Sequence, residues 1–316
     1  GIIGEDKQKG LTYVAEPIGV ICGVTPTTNP TSTTIFKAMI AIKTGNPIIF
    51  AFHPSAQQSS KHAAKVILEA AIKAGAPKDC IQWIEIPSIE ATKQLMNHKD
   101  IALVLATGGS GMVKSAYSTG KPALGVGPGN VPTYIEKTAH IKRAVNDIIG
   151  SKTFDNGMIC ASEQVMVVDK EVYTDVVKEF KLHQTYFVNK NELQQLEDAI
   201  MNEDKTAVKP DIVGKSAVNI AKLSGISVPE KTKLLVAEID GIGKDYPLSR
   251  EKLSPLLAMV TAKSTRHALQ ICEDTLKFGG LGHTAVIHTE DSQLQQKFGL
   301  KMKACRRSEE RRVGKE

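Results

Sequence analysis

The sequence predicts an α/β fold with two domains. Apolar runs of strand length alternate with segments of helical periodicity, which is the pattern of crossover units on a parallel sheet. The chain has 316 residues, of which 41% are hydrophobic and 5% aromatic, so it can bury a large core and is long for one domain. We place the boundary before the sequence FDNG, which gives domains at 1–152 and 153–306.

The elements of the first half follow one another without an internal repeat. The apolar segment IGVICGV predicts a buried strand, and Asn29 and Pro30 then supply a cap and a first-turn proline for a helix that runs towards Gly45. Apolar runs at PIIFAF, CIQWIEI and IALVLAT predict three further strands. Helical periodicity predicts helices at HAAKVILEAAIKAG, IEATKQLMNH and MVKSAYSTG.

The second half shows the same alternation after a helix predicted from about His140 to Ser151. Strands are predicted at QVMVVD, KLLVAEI, PLLAMVTA and TAVIHT. Helices are predicted at EVYTDVVKEF, NELQQLEDAIM and TRHALQICEDTLKFG. The second half is therefore predicted to be α/β as well.

Composition and charge limit the function classes. No apolar run has the length of a membrane span, the first residues lack the pattern of a signal peptide, and the five cysteines contain no CxxC pair, so we expect a cytoplasmic protein without disulfides. The net charge is +6, and the last eleven residues, with five basic and three acidic groups, supply two of these charges. The other basic residues are scattered, so we expect neither nucleic acid nor a membrane as a partner.

The segment ATGGSGM links a predicted strand to a predicted helix. Gly108, Gly109 and Gly111 allow a close approach to the backbone, and the N–H groups and dipole at a helix start favour a phosphate. The segment does not match GxGxxG, and a glycine-rich turn between a strand and a helix is often only a turn. From the residues alone, both interpretations stay open.

The segment FDNGMICASEQ contains Cys160 shortly after an adaptable Asp-Asn-Gly turn. A helix starting beyond Cys160 would place the sulfur near a positive dipole end and lower the pKa of the thiol, which favours a nucleophile. A buried core thiol explains the pattern equally well, since cysteine is among the most buried residue types. Cys22 and Cys272 fit that core role, because they lie on apolar strand and helix faces.

Five segments together resemble the aldehyde dehydrogenase superfamily: IGVICGVTPTTNPTST, LATGGSGMVKSAYSTGKPALGVGPGNVP, FDNGMICASEQ, EKLSPLLAMV and GGLGHTA. More narrowly, the chain up to about Arg306 is similar to the CoA-acylating acetaldehyde dehydrogenase module of bifunctional aldehyde-alcohol dehydrogenases. The resemblance implies a Rossmann-type cofactor domain and an α/β catalytic domain, incomplete at both ends. It also implies the start of an oligomerisation strand near residues 10–17 and a non-native tail at 307–316, with a solvated natural tail as the alternative.

The resemblance assigns candidate roles to individual residues. The family's nucleophilic cysteine matches Cys160, and the glutamate that binds the nicotinamide ribose matches Glu251. His283 is placed near the active site as an acid, a base or a CoA contact, with a structural role as the alternative. The oxyanion amide matches Asn29, or Thr28 in a shifted alignment, and a plain N-cap is the alternative for Asn29. The remaining cofactor-binding residues are Thr25, Pro26, Thr107, Gly108, Gly109, Ser110, Gly111 and Gly127.

Two departures from the hydrolytic branch of this family bear on the reaction. Gly125 stands where that branch has a glutamate that activates water, and no other carboxylate replaces it. Hydrolysis of a thioester needs such a base, whereas the CoA thiol can take the acyl group without one, so CoA is the expected acceptor. The segment AFHPSA stands where a lysine contacts the adenosine ribose, which weakens the assignment of NAD over NADP.

The resemblance therefore implies an NAD-dependent oxidoreductase that converts acetaldehyde or another short aldehyde to acetyl-CoA through a thioacyl intermediate on Cys160, and runs in reverse during fermentation. NAD is the implied cofactor, coenzyme A is the co-substrate, and no metal is required. Two alternatives stay open, an acyl-phosphate reductase of related fold and an inactive fragment that binds nucleotide or takes part in filament assembly. The implied partners are a homo-oligomer or filament and a fused iron-dependent alcohol dehydrogenase domain.

Overall fold

The computed structural model describes residues 1–308, which fall into two compact units. The first unit is Gly1–Gly127, and the second begins at Pro128. Each unit contains one parallel sheet whose strands are connected through helices, so the predicted α/β class is confirmed. Among the described residues, no helix combines the length and apolar character needed to cross a membrane.

The first unit has a five-stranded parallel sheet and a separate antiparallel hairpin. The hairpin strands are β1 (Ile2–Asp6) and β2 (Leu11–Val14). The sheet strands are β3 (Val20–Val24), β4 (Ile48–Ala51), β5 (Ile81–Trp83), β6 (Ile101–Thr107) and β7 (Ala123–Val126). The helices are α1 (Pro30–Lys43), α2 (Gln57–Lys73), α3 (Ile89–Asn97) and α4 (Ser110–Tyr117).

The strand order of the first sheet, β5-β4-β3-β6-β7, creates a crevice at one end. Strand β4 lies on one side of β3 and strand β6 lies on the other. The connections on the two sides of β3 therefore pass over opposite faces of the sheet. Such a reversal opens a crevice at the carboxyl ends of the two central strands. Consecutive residues of β3, Ile21 and Cys22, enter different core clusters, so both faces of this sheet are covered.

The second unit has a seven-stranded parallel sheet in the order β10-β11-β12-β9-β8-β13-β14. Its strands are β8 (Val131–Ile135), β9 (Glu163–Asp169), β10 (Thr185–Val188), β11 (Leu234–Glu238), β12 (Leu256–Ala262), β13 (Gly282–His288) and β14 (Ala304–Ser308). Its helices are α5 (Ile141–Thr153), α6 (Tyr173–Leu182), α7 (Lys190–Ile200), α8 (Ala217–Leu223), α9 (Thr265–Thr275) and α10 (Ser292–Lys301). A π-helical turn at Leu276–Gly280 extends α9.

Strand β9 lies at the centre of the second sheet, and all seven of its residues are buried. Val165 and Val167 enter one core cluster, while Met166 and Val168 enter the other. Helix α5 packs on β9 and α6, so it belongs to the second unit. The compact units therefore divide before α5, whereas the predicted cofactor and catalytic domains divide after residue 152. That functional division stays a prediction.

The predicted strands and helices correspond to eight of the observed strands (β3–β6, β9 and β11–β13) and eight of the helices (α1–α7 and α9). The apolar patterns did not predict five strands and two helices, several of which are very short: β1, β7, β8, β10, β14, α8 and α10. Strand β2 lies within the range 10–17 predicted for an oligomerisation strand. Of the predicted tail, Arg307 and Ser308 continue β14, and residues 309–316 lie outside the described residues.

Candidate active site

The turn that precedes Cys160 has a left-handed backbone. Asp155 and Asn156 each have a φ of 48°, and Gly157 has a φ of 69°. A Cβ atom on Gly157 would lie 2.6 Å from the carbonyl group of Ser254, so the position requires glycine. Strand β9 begins three residues after Cys160, so the helix that the sequence analysis considered beyond Cys160 does not form there.

Cys160 and His283 are in contact in the second unit. His283 is the second residue of β13, and its Nε2 atom lies 3.3 Å from the Sγ atom of Cys160. The other ring nitrogen, Nδ1, lies 3.0 Å from the Oγ1 atom of Thr284. Both Cys160 and His283 are partly exposed. An imidazole in contact with a thiol can accept its proton, so this pair can generate a nucleophilic thiolate.

Cys22 and Cys272 have the core environment that the sequence predicted. Both side chains are fully buried, and burial raises the pKa of both thiols, that of Cys22 to about 12. Cys80 is partly buried, and Cys305 is exposed on β14. Cys160 differs from the two core thiols because it is partly exposed and contacts an imidazole.

Gly129 connects Cys160 with Glu251. The N–H of Gly129 donates a 3.0 Å hydrogen bond to the Oε1 atom of Glu251. A Cβ atom on Gly129 would overlap the carbonyl oxygen of Cys160, so the two backbones pass against each other only because this residue is glycine. Asn130 anchors the segment by donating to the carbonyl of Ser249 at 2.9 Å. The candidate nucleophile and the candidate ribose-binding carboxyl therefore flank one glycine.

The carboxyl group of Glu251 has a pKa near neutrality. Burial raises this pKa from 4.5 to about 7, while the hydrogen bond from Gly129 and the charges of Lys152 and Lys252 act in the opposite direction. A group with such a pKa changes its charge within the physiological range, so any ligand contact that it makes depends on pH.

In the first unit, the predicted cofactor-binding residues share one edge of the sheet. Thr25 and Pro26 directly follow β3, the segment Thr107–Gly111 joins β6 to α4, and Gly127 directly follows β7. These three strands are neighbours in the parallel sheet. The residues therefore lie together at the carboxyl ends of the strands, where the crevice opens.

Two features of this edge fit a nucleotide. Gly109 is the N-cap of α4, and a Cβ atom on Gly109 or Gly111 would meet no atom within 4 Å among the described residues other than its chain neighbours and the backbone of its own helix. The start of α4 is therefore uncrowded beside these two glycines, and a helix start is a place where a phosphate can bind. Thr25 is 2% exposed, and its Oγ1 atom has no hydrogen-bond partner in the described part of the chain, so a polar ligand atom would satisfy it.

Lys37 is a residue of this edge that the sequence analysis missed. It is buried, and its Nζ atom donates to the carbonyls of Val24 at 2.5 Å and Leu105 at 2.8 Å, near the ends of β3 and β6. Burial lowers its pKa to about 7, while the nearby Cys22 acts in the opposite direction. The lysine thus joins the two strands whose ends form the crevice. The available signal was a single lysine within the apolar run IFKAMIAI of α1.

Asn29 lies at the N-cap position of α1, but within residues 1–308 its side chain makes no capping hydrogen bond. Its Oδ1 atom instead accepts a 3.2 Å hydrogen bond from the Oγ1 atom of Thr28. The structure therefore does not support the plain N-cap as the reason for Asn29. The choice between Asn29 and Thr28 as oxyanion donor stays a prediction.

Gly125 lies in β7, and its surroundings explain why a larger side chain does not fit. A Cβ atom there would lie 2.7 Å from Cγ1 of Val113 and 2.9 Å from Cε2 of Tyr117. The N–H of Gly125 also donates to the Oη atom of Tyr117 at 2.9 Å. A glutamate at this position would have to displace both side chains.

The chain matches the model of the aldehyde dehydrogenase family over residues 2–306. One curated relative, the aldehyde-alcohol dehydrogenase of Streptococcus pneumoniae serotype 4, is 55% identical over 313 residues, which cover 97% of this chain and 35% of the relative. The chain thus spans about a third of the length of this curated relative.

Two solved structures are similar to this chain over most of its length. An acetylating aldehyde dehydrogenase from Geobacillus thermoglucosidasius is 47% identical with a TM-score of 0.93, over 98% of this chain and 68% of that one. A propionaldehyde dehydrogenase from Rhodopseudomonas palustris, solved with bound CoA and an acylated cysteine, is 30% identical with a TM-score of 0.85, over 93% of this chain and 66% of that one.

Proposed function

The chain belongs to the aldehyde dehydrogenase family, and on that premise we propose that it oxidises acetaldehyde or another short aldehyde to a CoA thioester with NAD, and also catalyses the reverse reduction. The observation that carries the proposal is the 3.3 Å contact between Cys160 Sγ and His283 Nε2. The names of the Streptococcus and Geobacillus relatives, aldehyde-alcohol dehydrogenase and acetylating aldehyde dehydrogenase, support the same class of reaction.

In the proposed reaction, the thiol of Cys160 passes its proton to His283 and the thiolate adds to the carbonyl carbon of the aldehyde. The resulting oxyanion is stabilised by the N–H of Cys160 and, on the resemblance, by the amide of Asn29 or by Thr28. Bound NAD supplies the hydride acceptor. Cys160 is then acylated, and His283 releases the first proton to solvent. The thiol of CoA attacks the thioester and gives its proton to His283, and the sulfur of Cys160 leaves as a thiolate that His283 can reprotonate.

We assign NAD binding to one group of residues in the first unit and to Glu251 in the second unit. In the first unit these are Thr25, Pro26, the segment Thr107–Gly111 and Gly127, supported by the open helix start and the unpartnered hydroxyl of Thr25. In the second unit Glu251 would accept hydrogen bonds from the nicotinamide ribose, and the ionised carboxylate is the stronger acceptor because protonation turns one of its oxygens into a donor.

CoA is the proposed acyl acceptor rather than water or phosphate. The crowded position of Gly125 excludes a water-activating carboxylate there without rearrangement. The Rhodopseudomonas relative, which carries both CoA and an acylated cysteine, supports CoA over the phosphate of an acyl-phosphate reductase. The contact between Cys160 and His283 also argues against an inactive fragment that only binds nucleotide or assembles filaments.

For the whole protein, we propose a cytoplasmic enzyme that works in the fermentative direction. The Streptococcus relative, of which this chain covers 35%, has a name that combines an aldehyde and an alcohol dehydrogenase. That name supports extending the proposal to a fused alcohol dehydrogenase domain. Its iron dependence and a homo-oligomer or filament are added to the proposal on the resemblance alone.

The proposal is tested by incubating the purified protein with acetaldehyde, NAD and either CoA or inorganic phosphate. We expect NADH and acetyl-CoA to form together in the CoA reaction, as followed by absorbance and mass spectrometry. NADH formation that depends on phosphate, or none with either acceptor, would overturn the proposed function.

A further inference from the structure

Lys252 is a fully buried lysine that follows Glu251 directly in the chain. Burial and the charge of Lys152 lower the pKa of its ammonium group well below 10.5, while the charge of Glu251 acts in the opposite direction. Its Nζ atom donates to three carbonyl oxygens, those of Leu248 at 2.7 Å, Arg250 at 2.6 Å and Gln164 at 3.0 Å. Three acceptors match the three N–H bonds of an ammonium group. Two of them belong to the loop that carries Glu251, so the side chain folds back and closes its own loop.

The same lysine connects this loop to the strand that follows Cys160. Gln164 is the second residue of β9, and it accepts both the Nζ–H of Lys252 on its backbone carbonyl and the backbone N–H of Lys252 on Oε1, the latter at 3.0 Å. The two residues are 88 positions apart in the sequence. Lys152 donates to the same Oε1 atom at 3.1 Å. We call these buried contacts of Lys252 and Lys152 with Gln164 the junction. Cys160 and Glu251 each lie within a few residues of it in the chain.

The backbone next to Lys252 is held in an uncommon conformation. Leu253 has a φ of 46°, which a side chain of this kind adopts only when its surroundings impose it. Its carbonyl accepts a 2.9 Å hydrogen bond from the N–H of Gly214. Burial of an ammonium group is also costly, so the junction is expensive in free energy and is better explained by a requirement for a defined geometry than by stability.

We propose that Lys252 is a positioning residue that fixes the carboxyl group of Glu251 relative to Cys160, so that the ribose contact and the nucleophile keep a constant separation. This inference rests on the proposed function, because it uses Glu251 as the ribose contact. Its charge has a second effect. The charges acting on Glu251 are Lys152, from α5, and Lys252, from its own loop, and both hold the pKa of the carboxyl down against burial.

The test compares Lys252→Met, which keeps the length of the side chain and removes its donors, with Ser249→Ala. Ser249 is a matched control because it is fully buried in the same loop but bonds away from Glu251, accepting from the N–H of Gly243 at 3.1 Å and donating to the carbonyl of Tyr246 at 2.7 Å. The readouts are the KM for NAD across pH, the rate of iodoacetamide labelling of Cys160, and thermal unfolding to verify that each variant is folded.

For Lys252→Met we expect the KM for NAD at alkaline pH to rise about tenfold or more. The acid limb of the pH profile, where NAD binding weakens as Glu251 is protonated, should move to higher pH. Labelling of Cys160 should stay within about twofold of the wild type, because the contact with His283 is unchanged. Ser249→Ala should be less stable than the wild type, but its KM for NAD and the pH dependence of that KM should be those of the wild type. Equal KM profiles for the two variants would overturn the positioning role.

Two further measurements apply if Lys252→Met does not fold or if the wild type is inactive. If Lys252→Met does not fold, Gln164→Met removes the acceptor of the Lys252 N–H and should change the KM in the same direction by a smaller factor. If the wild type makes no NADH, the proposed function fails, and amide hydrogen exchange then decides on the junction alone. We expect faster exchange over residues 248–254 in Lys252→Met than in Ser249→Ala, and equal exchange would refute the junction.

Discussion

The Nε2 atom of His283 lies 3.3 Å from the Sγ atom of Cys160, although 123 residues separate the two in the chain. The loop before β9 and the first residues of β13 supply the two side chains. β8 lies between these strands in the sheet, so the contact depends on the parallel arrangement of three strands. The proposed chemistry therefore depends on the fold of the second unit.

Substitution of the candidate nucleophile separates catalysis from packing. We expect Cys160→Ser to lower NADH formation by about a thousandfold or more, because a serine hydroxyl is scarcely ionised at neutral pH while it occupies a similar volume. NAD binding and the unfolding temperature should stay close to the wild type. The measurement is the initial rate with acetaldehyde and CoA, normalised to folded protein.

Cys272→Ser is the matched control for that experiment. Its hydroxyl would be buried in a core cluster, so we expect a loss of about 1–3 kcal/mol of stability if the hydroxyl finds no partner, with unchanged turnover per folded molecule. Cys22→Ser should behave in the same way. An active Cys160→Ser enzyme would show that another group is the nucleophile.

Removal of the imidazole should slow the chemistry of Cys160. We expect His283→Asn to lower turnover about a hundredfold, because a positioned general base contributes a factor of this order. Iodoacetamide labelling of Cys160 near neutral pH should slow as well, since the thiolate would lose its proton acceptor. The control is His267→Asn on α9, whose Nδ1 accepts a hydrogen bond from the N–H of Lys263 at 3.2 Å. Equal labelling rates in the two variants would contradict the pairing.

The sequence could predict the sheets because hydrophobic periodicity is a local property. Strand β10 was not predicted because its burial does not alternate: Thr185 and Val188 are buried and the two residues between them are half-buried. Helix α8 was not predicted because seven residues make only about two helical turns. The pattern around Cys160 left a nucleophile and a core thiol equally open, since the contact with His283 is between residues far apart in the sequence. The junction of Lys252 with Gln164 spans 88 residues and has no local signature at all.

The position of Gly125 predicts how the acyl enzyme breaks down. Without a carboxylate to activate water, we expect acetaldehyde oxidation in the absence of CoA to be about a hundredfold slower than with CoA. Gly125→Glu should not restore hydrolysis, because Val113 and Tyr117 occupy the space around the new side chain. The measurement is steady-state NADH formation with and without CoA. Equal rates would contradict CoA as the acceptor.

The start of α4 offers a test of cofactor binding that does not disturb the fold. Gly109 has φ −62° and ψ 161°, which alanine adopts without strain, and among the described residues other than its chain neighbours and the backbone of its own helix nothing lies within 4 Å of the added Cβ atom. We expect Gly109→Ala to keep its unfolding temperature and to raise the KM for NAD, because the methyl group would obstruct a phosphate at the helix start. An unchanged KM would favour the alternative that this segment is only a turn.

The titration of Glu251 gives opposite pH dependences for stability and for NAD binding. Its pKa is raised from 4.5 to about 7, chiefly by burial, so folding favours the protonated carboxyl. Its contribution to stability is therefore complete below about pH 4.5 and is lost as the pH rises through about 7. The ionised form is the stronger hydrogen-bond acceptor for the ribose hydroxyls, so the affinity for NAD should fall as the pH drops below about 7.

Glu251→Gln separates these two effects, because glutamine has a similar shape and does not titrate. We expect the variant to bind NAD more weakly at alkaline pH and to lack the acid limb near neutrality. We also expect its unfolding temperature to rise relative to the wild type as the pH increases between about 4.5 and 7, since the wild type alone must ionise a partly buried carboxyl. The measurements are NAD titrations and thermal unfolding over this range. An acid limb that persists in Glu251→Gln would assign the titration to another group.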